Sequence, residues 1–125
     1  MDPRDEIALL VKKWISALDM DRWKIAVRFN EEPQENSAGC IAKPEYREAM
    51  ITFNLANLSS ERDLEEHVVH ELVHCITWPL TEVADTYAQD VKSQGVARWA
   101  DVATEQVTTD VADIILKLVR QKGNE

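Results

Sequence analysis

Val68-Val69-His70-Glu71-Leu72-Val73-His74-Cys75 decides how the rest of the chain is read. It carries H-E-x-x-H within a run that has helical spacing. Residues four apart lie one above the other on a helix, so the His70 and His74 imidazoles can reach one metal ion. Glu71 sits beside them, placed to take a proton from a metal-activated water without being a ligand. Zinc lowers the pKa of such a water to about 7, which supplies a nucleophile at neutral pH. In the same segment Leu64, Val68, Leu72, Cys75 and Ile76 form an apolar stripe, and the two histidines lie off it. That offset separates them from core histidines. His67, one turn earlier, is expected to be a partly exposed neighbour of the site, because three ligands from one straight helix close a tetrahedral site poorly.

Outward from this helix the pattern is helix, three strands, helix, helix. Ser59 or Ser60 can cap the motif helix, with acidic residues from Glu61 to Glu66 in its first turns, and it is expected to stop near Trp78-Pro79. Upstream, Ile7, Leu10, Val11, Trp14, Ile15 and Leu18 recur at the 3-4 spacing of an amphipathic helix over Asp5 to Leu18. Trp23 to Phe29 alternates with period two, as a half-buried strand does. Ala38 to Ala42 and Ala49 to Leu55 read as the second and third strands. Thr81 to Lys122 is helical, with a break near Ser93-Gln94-Gly95. This order predicts a single α+β domain over residues 1–125 with a mainly antiparallel sheet.

Composition narrows the function. The 125 residues carry 23 acidic and 14 basic side chains, a net charge of −9. No basic cluster offers a footprint for nucleic acid or an anionic membrane. The first residues lack the pattern of a signal peptide and no run approaches a membrane span, so a cytoplasmic location is expected. Cys40 and Cys75 are isolated, and two buried thiols are expected in preference to a disulfide. The four tryptophans, Trp14, Trp23, Trp78 and Trp99, read as core or cleft-wall residues.

A catalytic zinc wants three protein ligands and an open position. A third histidine six residues beyond His74 is ruled out, since Leu80 stands there. The remaining candidates are Glu82, Asp85, Asp101, Glu105, Asp110 and Asp113. Thr108, Ala112, Leu116 and Val119 form a largely apolar line on the last helix, and Glu105 extends it. A carboxylate at the end of a buried line needs a partner, which favours Glu105, with Asp101 second.

The motif and the later Ala103-Thr104-Glu105-Gln106-Val107-Thr108 together resemble the gluzincin arrangement. The whole chain is similar to the very small zinc peptidase-like proteins of bacteria and phages called minigluzincins. The resemblance implies a zincin-like fold with Zn2+ held by His70, His74 and Glu105, and Glu71 as general base. It also implies an edge strand that pairs with an extended peptide or protein substrate, for which Cys40 to Ala42 and Met50 to Asn54 both qualify. Larger gluzincins often carry Asp four residues after the ligand glutamate, where this chain has Thr109. Tyr46, Tyr87 and His67 are candidates for stabilising an oxyanion. The alternative function is a non-catalytic zinc-containing interaction module, which a fourth ligand from Asp101 or Asp85 would favour.

Overall fold

The computed structural model describes residues 2–58 and 63–123. Helix α1 spans Pro3–Ala17, strand β1 Lys24–Asn30, β2 Ala38–Lys43, β3 Glu48–Asn54, α2 Leu64–Val91 and α3 Gln94–Gly123. Short 3-10 turns at Pro44–Tyr46 and Leu55–Asn57 flank β3. The α+β element order read from the sequence is the one observed.

Each element has a local cause. The Asp2 side chain accepts a hydrogen bond from the Arg4 amide at 2.8 Å and Pro3 opens the helix, so α1 starts there. Its buried residues Ile7, Val11 and Trp14 follow the 4-3 repeat of one face. On β3, Ala49, Ile51 and Phe53 are buried at every second position. They meet Val68, Val69, Leu72 and Val73 of α2, with Ala112 and Leu116 of α3 completing the core. Trp14 is buried, and its Nε1–H donates to Glu65 Oε2 at 2.9 Å, which fastens α1 to the first turn of α2.

The sheet is mixed, in the order β1-β3-β2, and this corrects the expectation of a mainly antiparallel one. β2 turns back onto β3 through Arg47, whose φ is 52°, and pairs antiparallel with it. β1 pairs with the other side of β3 in parallel, Lys24 opposite Glu48 through Asn30 opposite Asn54. β3 therefore lies between the other two strands. Alternation fixes which face of a strand is buried but carries no information about which neighbour it takes.

The expected stop of α2 near Trp78-Pro79 is also corrected, because the helix runs through Pro79 to Val91. A proline inside a helix costs about 3 kcal/mol and one hydrogen bond. α3 packs along α2 more extensively than any other element does, and this pairing holds the helix together across the break. α2 ends at Lys92 in the left-handed conformation, and Ser93 Oγ then accepts from the Val96 amide at 3.2 Å to start α3. The expected caps Ser59 and Ser60 lie outside the described residues; the observed cap of α2 is Asp63, which accepts from the Glu66 amide at 2.8 Å. No helix among the described residues is long and apolar enough to cross a membrane.

Candidate metal centre

α2 and α3 build the site between them. His70 and His74 project from successive turns of α2, their rings edge to face with centroids 4.7 Å apart. One turn of α3 brings Glu105 across to both: His70 Nε2 lies 2.8 Å from Glu105 Oε1, and His74 Nε2 lies 3.1 Å from Oε2. The registration that allows this is set one turn further on, where Thr77 Oγ1 meets the buried Thr108 Oγ1 at 3.1 Å. At the far end Arg120 reaches Asp63 at 3.0 Å and Glu65 at 3.5 Å.

His70, Glu71 and His74 each offer a ligand atom, and these atoms lie within 4.8 Å of one another. Two imidazoles and two carboxylates are a donor set that suits a divalent metal of intermediate softness. One buried atom points the same way: Glu71 Oε2, beside both histidines, has no hydrogen-bond partner. Buried polar atoms are rarely left so. The group could hold a metal ion.

The electrostatics follow from this crowding. Burial pushes the Glu71 carboxyl above its ordinary range, against the pull of His74 and His70, while Glu105 pushes the same way. Hydrogen bonds from His70 and His74 hold Glu105 well below the usual carboxylate range, against its partial burial. Burial lowers His74, but the Glu105 hydrogen bond and the charges of Glu71 and Glu105 outweigh it and leave His74 raised.

The centre opens into a cavity of about 870 Å³. Its opposite wall is Asn36 to Cys40, the end of the β1–β2 loop and the first half of β2. Of the two segments that qualify as the substrate-pairing edge strand, Cys40 to Ala42 lies on β2 at one edge of the sheet, whereas Met50 to Asn54 is corrected: it lies on β3, paired on both sides. The wall is clamped by Asn54, which is buried: its Nδ2 donates to Asn36 O at 2.8 Å and to Asn36 Oδ1 at 2.9 Å. Asn30 Nδ2 donates to Asn54 Oδ1 at 2.9 Å, and the Asn54 amide donates to Ser37 O at 2.8 Å. Nothing in the sequence pattern marked Asn54; an asparagine ending an apolar strand is the signal that was available.

Among the other expected residues, Asp101, Thr109, Trp78 and His67 line the cavity. His67 is 7% exposed, so the expectation of a partly exposed residue is corrected: α2 is covered beyond the stripe its sequence shows. Tyr46 and Tyr87 are 69% and 61% exposed and outside the cavity lining. Glu82 accepts from Trp78 Nε1 at 3.1 Å, and Asp85, Asp110 and Asp113 do not line the cavity at the histidines. Trp99 is 68% exposed, neither core nor cleft wall. Cys40 and Cys75 are free thiols with Sγ atoms 3.2 Å apart; Cys75 is buried, whereas Cys40 is partly exposed on the cavity wall. The hydrogen bond with Cys75, then burial, pushes the Cys40 thiol far up.

Compared with known proteins, the chain matches no family model, no curated protein and no solved structure.

Proposed function

We propose that this protein is a small gluzincin-type zinc peptidase. The observation that carries the reading is the reach of Glu105 from α3 to both motif histidines at 2.8 and 3.1 Å. His70, His74 and Glu105 would hold the ion, which when bound supplies a Lewis acid and activates water for attack on a carbonyl. Glu71 accepts the proton of the attacking water on its carboxylate and passes it to the leaving amine, so the residue returns to its starting state. The cavity of about 870 Å³ beside the centre has room for a stretch of extended peptide. The exposed edge of β2 offers main-chain groups to such a peptide, as in strand addition. A net charge of −9 supports a peptide or protein partner over nucleic acid.

A second reading draws on Asp101, which lines the same cavity. A fourth protein ligand would close the open position and leave a structural or regulatory metal in a binding module. Digestion of a diverse peptide library by zinc-loaded protein beside Glu71→Gln separates the two. Cleavage is expected from wild type alone, with the variant at least about 100-fold slower. Zinc bound at one equivalent with no cleavage in any mixture would favour the binding module.

A further inference from the structure

The α2–α3 hairpin carries a second feature on residues that take no part in the metal centre. Beyond Cys75, α2 buries only Ala88 among its described residues, yet this half of the helix is not polar. Ile76, Leu80, Val83, Tyr87 and Val91 recur at 4-3-4-4 spacing, and at about 100° per residue they fall in an arc of about 80°. On α3, Val107, Val111, Ile114 and Leu118 repeat the same 4-3-4 pattern. This line is distinct from the one through Thr108, Ala112 and Leu116 that packs into the core. The two exposed stripes are neighbours: Leu80 and Val107 border one small groove between the helices.

These nine side chains are 36–69% exposed. Together they present on the order of 900 Å² of mainly apolar surface, against 300–600 Å² for the largest patch of a typical monomer. About 800 Å² per partner is what a stable protein interface buries. The stripes hold no charged residue, so a partner is not selected here by charge. With a net charge of −9, an anionic bilayer is disfavoured.

We infer that this face pairs with the same face of a second copy of the chain, hairpin on hairpin, as a four-helix bundle. Two antiparallel helices with parallel apolar stripes form a self-complementary surface, which a twofold axis can close without leaving a free interface. His70 and His74 fall outside this stripe, about 100–140° around α2 from its middle at about 100° per residue. The dimer does not depend on the peptidase reading.

The test is sedimentation equilibrium of the full chain, with Val83→Glu and Leu118→Glu as separate variants and Leu9→Glu as control. Leu9 is equally exposed, at 58%, but lies on α1. Wild type and the control are expected at twice 14.3 kDa. Each stripe variant is expected to dissociate at least about 30-fold more readily, with unchanged helix content by circular dichroism because both side chains are exposed. A wild type that stays monomeric up to about 100 μM overturns the inference, as does a dimer that both stripe variants leave intact. Monomer that co-sediments with phosphatidylcholine vesicles also overturns it, assigning the face to a lipid surface.

Discussion

Replacing Glu71 by Gln is expected to make the metal-free protein more stable while it destroys the proposed activity. Glu71 is 4% exposed, and its Oε2 has no hydrogen-bond partner. A buried acceptor left unsatisfied costs about 1–3 kcal/mol, and more when it is charged. The upward push of burial on its carboxyl reports the same penalty, which the nearby histidines only partly offset. Glutamine keeps the shape and removes the charge, leaving a neutral orphan in place of an ionised one. The difference is about 2 kcal/mol in favour of the variant. Unfolding a chain of 125 residues releases about 0.26 kcal/mol/K, so Tm should rise by about 8 °C. The assay is calorimetric unfolding of both proteins at pH 7 after dialysis against a chelator. Equal Tm values, or a lower one for the variant, would refute the idea that Glu71 is held at a cost to the fold. The expected trade of stability for function is common at working sites.

Three further outcomes follow from other residues. Glu105→Gln is expected to weaken zinc binding by at least about 100-fold, more than loss of an outer hydrogen bond would, measured by competition with a chromophoric chelator; an unchanged affinity would remove Glu105 from the ligand set. Asn54→Ala should cost about 2 kcal/mol in urea unfolding, since it strips Asn36 and Asn30 of a buried partner, and should raise KM more than it lowers kcat if Asn36 to Cys40 forms the substrate wall. Burial alone would raise the Glu65 carboxyl, but hydrogen bonds from Lys13 and Trp14, the Lys13 charge and Arg120 leave it lowered. Its contribution is therefore fully present above the ordinary glutamate range and is lost as pH falls through the lowered native value. Because Lys13 and Arg120 are about half exposed, Glu65→Gln should cost only about 1 kcal/mol at pH 7 and flatten the acid limb of a stability–pH curve.

The parts of this fold that are legible in the sequence are those that depend on periodicity. The 4-3 repeat of Ile7, Val11 and Trp14 and the alternation of Ala49, Ile51 and Phe53 each mark a buried face, and the observed elements follow. Glu105 was legible for the same reason, because helical phase put it at the end of the Thr108–Ala112–Leu116 line. What periodicity does not encode is partnership between elements. The parallel pairing of β1 with β3 depends on β2 folding back to the far edge. The passage of α2 through Pro79 depends on α3 lying along it, a tertiary effect that overrides a local rule. His67 was misread because the sequence shows one apolar stripe on α2, whereas the sheet and α3 cover more than that stripe. Asn54 is marked only by ending an apolar strand, because its role is to satisfy backbone and side-chain groups from a loop eighteen residues away in sequence.

This division of labour has a consequence for the centre itself. His70 and His74 come from one helix, whose four-residue spacing places them relative to each other. Glu105 comes from another, and its position depends on the Thr77–Thr108 contact and on the ion pairs of Arg120. Loosening α3 would therefore remove the carboxylate and, with it, the hydrogen-bond partner of both imidazoles. A metal ion that binds all three groups must stabilise the docking of α3, by an amount that grows with its free concentration over its dissociation constant. Because the Glu105 hydrogen bond and the charges of Glu71 and Glu105 raise His74, proton and metal would compete there, and binding would weaken as pH falls. In the proposed site, metal affinity, the packing of α3 on α2 and the protonation of His74 would be three readings of one coupled equilibrium, with Glu105 as the residue common to all of them.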